Sequence, residues 1–337
     1  MTEKVKVFIA DTFDPWFNLA TEDWIFNDMD PETKVLFLWR NQNTVVIGRF
    51  QNPWTECNVE MMEKDGIKLA RRQSGGGAVF HDLGNTNFTF MSSKEGHKKE
   101  NNNAIIINAL KRFNIEAEAS GRNDIVVQFD DGPRKFSGSA FKEKRDRAFH
   151  HGTLLIDADL TRLGNYLNPN KKKLEAKGIK SVRARVLNLK EINPEITHES
   201  LTKVIIEEFL KFYKAQTEVI YLDHEFLKTQ PALNDYYEKL KAWEWRFGET
   251  PKFTHFFEER FTWGGVEIHL ESHKGLIKEV KIYTDCLFPD LISEIQEVLK
   301  EVPYEPSEVK VALNKIDHGQ FEKEISELTS FVLDQIR

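Results

Sequence analysis

The sequence predicts an α+β protein with mixed, largely antiparallel sheets, flanking helices and a small α+β accessory domain at its C-terminus. Short apolar strands follow one another through turn signals, with only occasional helical stretches between them, so the pattern is not one of alternating βαβ units. A break around Gly248 and Pro251 divides residues 1–246 from residues 253–337. A chain of 337 residues can bury a large core and is long enough for two domains.

The elements follow in order. VKVFIA is a strand, and Asp14 followed by Pro15 is a helix start ahead of WFNLATEDWIF. Strands are expected at VLFLWR, TVVIG, IKLA, AVFH and NFTFM. A helix over NNNAIIINALKRF separates these from strands around Asp124, Lys135 and His150. The turn Asp131-Gly132-Pro133 joins DIVVQF to the extended run Arg134–Ala140, which makes a hairpin. Residues 197–215 read as an amphipathic helix with Leu201, Val204, Ile205 and Phe209 on its buried stripe. Beyond the break, FTHFFEERF, VEIHLES and LIKEVKIYTD are antiparallel strands, with a turn at His273-Lys274-Gly275. DLISEIQEVLK and EISELTSFVLDQI are helices. No internal repeat or low-complexity tract is present.

The stretch RRQSGGGAVFHD, residues 71–82, carries the most chemistry. Gly75, Gly76 and Gly77 let the backbone approach a ligand and turn N–H groups toward oxygen atoms. Arg71 and Arg72 add charge suited to phosphate or carboxylate. Glycine runs also occur in linkers, but those are polar on both sides, whereas KLA and AVF flank this one. A P-loop would need Lys and Ser or Thr where Ala78 and Val79 stand, and a dinucleotide fingerprint would need a glycine at Phe80. Downstream, Ser137, Gly138, Ser139 and Ala140 leave room beside the strand bearing Lys135. By itself that lysine reads sooner as a solvated strand residue than as a phosphate contact.

Composition narrows the function. There are 47 basic and 54 acidic residues, a net charge of −7, so no global polycation for nucleic acid exists. Residues 134–147 and 171–190 are locally basic and suit nucleotide phosphates or an acidic protein acceptor, or simply a solvated face. Cys57 and Cys286 lack the spacing of a zinc site or a disulfide framework. MTEKVKVFIAD lacks a signal-peptide core and no stretch approaches a membrane span, so a cytoplasmic protein is expected, with monomer the favoured state.

RRQSGGGAVFHDLGN, GRNDIVV, RKFSGSAF, FHHGTLL and KGIKSVRARVLNL, in this order and spacing, resemble the bacterial lipoate-protein ligase A family. The likeness begins with DPWFNLA and LFLWRNQNTVVIGRFQNPWTECN and reaches TWGGVEIH, essentially the whole chain. It implies a catalytic domain of the biotin/lipoate ligase type followed by the accessory domain. It also implies an ATP-dependent lipoate-protein ligase. Lipoate and ATP would give lipoyl-AMP and pyrophosphate, and the acyl group would then pass to a lysine of a lipoyl domain. The acceptors implied are E2 subunits of 2-oxoacid dehydrogenases and the glycine cleavage H protein. ATP with Mg²⁺ would be the cosubstrate, with no bound prosthetic group. A carboxylate attacking a phosphate needs placed cations and N–H groups, which is what the motifs supply.

Residue by residue, the resemblance makes Lys135 the catalytic position, touching both the lipoyl carbonyl and the adenylate phosphate. Arg72 is implied in phosphate binding, and Gly77, Ala78, Val79 and Phe80 in lining the nucleotide, with Ser74, Gly75 and Gly76 beside them. Asn123 and Asp124 match an Asn-Asp pair. Asp124 would meet ribose or magnesium, and a turn role is an equal alternative. Trp39 and His81 match residues of the lipoyl pocket, although composition alone reads the first as core and the second as a turn residue. Gln73 and Phe136 depart from the pattern without altering these roles.

Three rivals are weighed. A lipoyl or octanoyl transferase would take its acyl group from a carrier-protein thioester without ATP; the full glycine loop and the accessory domain favour the ligase. A covalent nucleotidyltransferase would need Lys-x-Asp-Gly, where Lys135-Phe136-Ser137-Gly138 stands. A non-catalytic carrier would not need every motif intact. The family also implies a hinge near residues 246–253, and residues 177–189 are the candidate closing loop.

Overall fold

In the computed structural model, residues 4–167, 186–247, 255–273, 276–317 and 319–336 are described, apart from the side chains of Trp54 and Thr55. Residues 177–185 of the candidate closing loop, the Lys171–Lys173 run, residues 248–253 of the expected hinge, and Lys274-Gly275 lie outside them.

β1 (Val5–Ala10) leads into α1 (Pro15–Asp28), which begins as the sequence predicts: the Asp14 carboxylate accepts the Trp16 N–H and Pro15 opens the first turn. β2 (Lys34–Trp39) then lies parallel to β1. This βαβ unit supplies a parallel pair within the mixed, largely antiparallel arrangement expected from the sequence, because the 14 residues of α1 are enough to carry the chain back along the sheet. β3 (Thr44–Ile47), α2 (Pro53–Glu56), α3 (Val59–Lys64), β4 (Lys68–Arg71) and β5 (Val79–His81) build a small sheet with strand order β4-β3-β5. The glycine loop therefore crosses from one edge of this sheet to the other.

The chain continues through β6 (Asn85–Ser93), α4 (Lys99–Lys111), β7 (Glu118–Ser120), β8 (Asp124–Val127), β9 (Arg134–Glu143), β10 (Arg147–Leu155) and α5 (Leu163–Tyr166). α6 (His198–Phe212), β11 (Val219–Leu222), α7 (Phe226–Thr229), α8 (Pro231–Lys241) and α9 (Trp243–Arg246) follow. The main sheet has eight strands ordered β11-β1-β2-β6-β10-β9-β8-β7, and the β8–β9 hairpin forms where the Asp131-Gly132-Pro133 turn predicts it.

Both faces of this sheet are covered. Leu36 and Leu38 join Ile105, Ile106, Leu201, Ile205 and Phe209 under α4 and α6. Phe37 and Trp39, on the opposite face by strand alternation, join Phe17, Ile25, Phe26, Leu233 and Leu240 under α1 and α8. Two-sided burial explains why β2 is apolar from Val35 to Trp39.

β12 (His255–Phe261), β13 (Gly264–His273) and β14 (Leu276–Thr284) form an antiparallel sheet. α10 (Pro289–Val298), α11 (Pro306–Leu313) and α12 (Glu322–Gln335) pack against it around a separate cluster with Ile268, Ile282, Ile292 and Leu328. Phe50 inserts into this cluster, and the Phe50 carbonyl accepts the Thr284 N–H. The Gly76 N–H is held by the Cys286 carbonyl at 2.9 Å, and Arg122 Nη1 by the Trp263 carbonyl at 2.8 Å. Among the described residues, no helix is long and apolar enough to cross a membrane.

Gly75 sets how closely the C-terminal unit approaches. A Cβ built there would lie 2.0 Å from the Cys286 carbonyl oxygen and 2.9 Å from Leu287 Cα, both backbone atoms that cannot swing aside. Gly75→Ala is expected to prise this contact open, seen as an increased radius of gyration in small-angle X-ray scattering. An unchanged scattering profile would count against the contact.

Candidate active site

Arg71 ends β4, Arg72 follows it, and both are buried. Arg72 spends its N–H groups on the loop itself: Nε on Ser74 Oγ at 3.0 Å, Nη2 on the carbonyls of Gly75 at 2.7 Å and Gly77 at 2.9 Å, and Nη1 on Val46. Arg71 does the same outside it, holding the carbonyls of Gly48, Arg49 and Gln51 through Nη1 and those of Trp245 and Arg246 through Nε and Nη2. Burial lowers both guanidinium pKa values to about 10, so both remain charged at neutral pH. The loop's carbonyls are thus gathered inward, and Gly76 takes φ +93°, which a side chain would strain.

Two hydrogen-bond chains meet beneath the loop at the buried carboxylate of Glu22, on α1. From the loop, Ser74 Oγ lies 2.7 Å from His151 Nε2, and His151 Nδ1 lies 2.9 Å from Glu22 Oε1. From the sheet, Trp39 Nε1 donates to Thr89 Oγ1 at 3.1 Å, and Thr89 donates to Glu22 Oε1 at 2.6 Å. With the His151 proton on Nδ1 the directions agree: Arg72 donates to Ser74, Ser74 to His151, and His151 to the carboxylate. The loop and the indole of Trp39 are therefore fixed to one acid.

His81 sits beside Trp39, with ring centroids 6.3 Å apart. Its Nδ1 accepts from the Asn41 amide at 3.2 Å, and its Nε2 has no partner among the described residues. Burial first, then Arg72 and His151, push its pKa down to about 3, so the ring is neutral. Phe80, two strand positions on from Ala78, turns its ring into the cluster of the small sheet against Tyr166, leaving its backbone for a ligand.

Lys135 depends on a bulge. β8 pairs Ile125 with Ser137 but Val126 with Lys135, so the register slips by one at Phe136. Regular alternation would put Lys135 and Gly138 on opposite faces; the slip brings them together. A Cβ on Gly138 would lie 2.8 Å from Lys135 Nζ. Farther along the same face, Ala140 lies under Gly76 and Lys142 Nζ donates to Gln73. The ammonium thus lies on the face of β9 that meets the glycine loop at Ala140 and Lys142, and pairs with Asp124 at 2.6 Å. Asn123 ties this hairpin together: its carbonyl accepts the Ser139 N–H, and its amide donates to the Ser139 carbonyl. Val186 bridges Lys135, and the Leu187 N–H binds the Lys135 carbonyl, so residues 186–189 dock on this strand.

The basic stretch 134–147 is largely committed. Arg147 donates to the carbonyls of Phe26, Asn27 and Met29 at the end of α1, and Arg134 pairs with Asp131. Among the described residues, no group of three or more His, Cys, Asp or Glu is placed to hold a metal ion.

Comparison with known proteins fits this geometry. The family model for the lipoyl protein ligase A/B catalytic domain matches residues 14–210, and that for the bacterial lipoate protein ligase C-terminus matches residues 250–331. The lipoate-protein ligase A of Bdellovibrio bacteriovorus is 52% identical over 99% of both chains. The chain belongs to the lipoate-protein ligase A family. The ligase of Psychrobacter cryohalolentis is 49% identical, again over 99% of both chains. A solved structure of P. falciparum LipL1 in complex with lipoate is 36% identical and covers 98% of this chain and 99% of that one, with a TM-score of 0.86.

Sequence reading located the glycine loop and Lys135 but missed Glu22, Thr89 and His151. A buried acid in α1 and a histidine in β10 carry no local motif; only FHHGTLL hinted at the second.

Gly138→Ala is expected to displace the flexible end of Lys135 and not the backbone. Adenylation kcat should fall at least tenfold while the melting temperature moves little; equal activity would show that the ammonium's position is unimportant. Asp23 adjoins this site. Burial raises its pKa to about 7, with Glu22 adding to the effect and Lys142, Lys239 and Gln73 opposing it. The native state therefore holds the proton more tightly than the unfolded chain, and stability falls as pH rises from about 4 to 7. Asp23→Asn should relieve this, stabilising the protein at pH 8 by on the order of 4 kcal/mol and little at pH 4, as read from denaturant unfolding at both pH values.

Proposed function

We propose that the glycine loop and the β9 face of Gly138, Ala140 and Lys142 hold lipoyl-adenylate, with Lys135 as the catalytic residue. As a family member the chain is an ATP-dependent lipoate-protein ligase. The observation that carries the site assignment is Lys135 folded over Gly138, on the face that meets the loop.

In the first step a lipoate carboxylate oxygen attacks the α-phosphorus of ATP and pyrophosphate leaves. The Lys135 ammonium offsets the charge that builds on the phosphate and keeps the two reactants together. Arg72 acts by shaping the loop: it gathers the Gly75 and Gly77 carbonyls and leaves loop amides as donors, other than that of Gly76, which the Cys286 carbonyl holds. Ser74, Gly75, Gly76, Gly77, Ala78, Val79 and the backbone of Phe80 form the nucleotide wall. Trp39 and His81 border the acyl chain, and the unpaired Nε2 of His81 offers it a donor.

In the second step the amine of an acceptor lysine attacks the acyl carbonyl, and AMP leaves with the phosphate charge again facing Lys135. The proposed acceptors are lipoyl domains of E2 subunits and the H protein. Magnesium is proposed to arrive on the phosphates of ATP. Contact with Asp124 would require its pair with Lys135 to open, and Asn123 serves to hold the hairpin. Residues 1–246 and 253–337 are proposed as the catalytic and accessory domains. The match of residues 250–331 to the ligase C-terminus supports ligase over thioester-dependent transferase.

The test is lipoate-dependent exchange of labelled pyrophosphate into ATP without an acceptor. Lys135→Ala is expected to lower exchange by roughly 10²- to 10³-fold, the cost of losing one charge-stabilising donor. Unchanged exchange would remove Lys135 from the chemistry, and acyl transfer from a carrier thioester without ATP would assign the protein to the transferases.

A further inference from the structure

We infer that a cleft at the opposite end of the main sheet is a second anion site, built to take a phosphate group. The cleft has a volume of about 490 Å³ and lies between the N-terminus of α4 and the end of α6. Lys34, Lys98, Lys214 and Asn101 line it, with Glu95 as the single acidic residue of its wall. Lys34 opens β2, whose other end carries Trp39. Five strand steps separate them, roughly 17 Å, so this is not the adenylate site.

Lys34 is the deciding residue. It is 8% exposed and faces the cleft, and among the described residues no hydrogen bond or ion pair reaches its ammonium. The side chain is buried along its length and its unpaired ammonium opens on the cleft, where a bound anion would supply the partner that the protein does not. Gly96 makes the room: a Cβ there would lie 2.2 Å from Lys34 Nζ. Lys98, the residue ahead of α4, gives that helix no side-chain cap, so its first amides and its dipole favour an anion at the same place. Three lysines against one glutamate favour a doubly charged oxyanion over a neutral ligand. The exposed ring of Phe212 adds an apolar wall.

A nearby cleft on the same pair of helices provides the contrast. Its charges are satisfied internally, Arg112 by Glu207 at 2.5 Å and Lys211 by Glu208 at 3.3 Å, and it calls for no ligand.

Hydrogen–deuterium exchange reads the site locally and apart from catalysis. Inorganic phosphate should slow exchange at residues 96–102 and 211–214 of the wild-type chain. The protection should disappear in Lys34→Met, which keeps the side-chain bulk, and in Gly96→Ala, which closes the recess. Pyrophosphate exchange into ATP should stay within twofold of wild type in both variants. AMP giving the same protection at lower concentration would mark a nucleotide phosphate as the source, and equal or weaker action would mark the free ion. Absence of protection in the wild type, or protection that survives both substitutions, would overturn the assignment.

Discussion

The buried carboxylate of Glu22 is the point on which the site depends. It accepts from His151 on one side and Thr89 on the other, and through them it fixes Ser74 of the glycine loop and the indole of Trp39. A carboxylate taken from water is tolerable only when its oxygens are satisfied, and here the donors come from two different strands, β6 and β10. The glycine loop and the indole of Trp39 thereby share one reference, so a shift of one is felt by the other. α1, which the sequence marks through Asp14 and Pro15, brings this acid under the sheet.

The two arginines complete the frame from the other side. Five carbonyls converge on Arg71, and three carbonyls and a hydroxyl on Arg72. A loop of three consecutive glycines has high conformational entropy when free, and a guanidinium with five fixed donors is suited to holding it in one shape. The loop can then be both exposed enough for close backbone approach and rigid enough for catalysis. The Cys286 carbonyl on the Gly76 N–H joins the C-terminal unit to the same loop, so the position of that unit and the availability of a loop amide are coupled.

Local chemistry made much of this legible. The Asp14-Pro15 helix start, the Asp131-Gly132-Pro133 turn and the apolar stripe of residues 201–209 each appear where sequence rules place them, because each depends on neighbours within one turn. β11, a four-residue parallel edge strand, and α8 escaped notice. The first is too short to show a period, and the second buries only Leu233 and Leu240. The arginines were legible as anion-seeking side chains; that they seek carbonyl oxygens in the loop itself depends on where the chain returns.

The sequence by itself determined the family, the two-part α+β architecture, the glycine loop and the lysine in RKFSGSAF, since these rest on residue types at short spacings. Tertiary structure decided how they face one another. Lys135 and Gly138 share a side of β9 only because β8 pairs with one residue skipped at Phe136, and Glu22 meets His151 only because α1 packs on β10. Register and packing are set by the whole sheet and its covering helices, and no local window of sequence contains them.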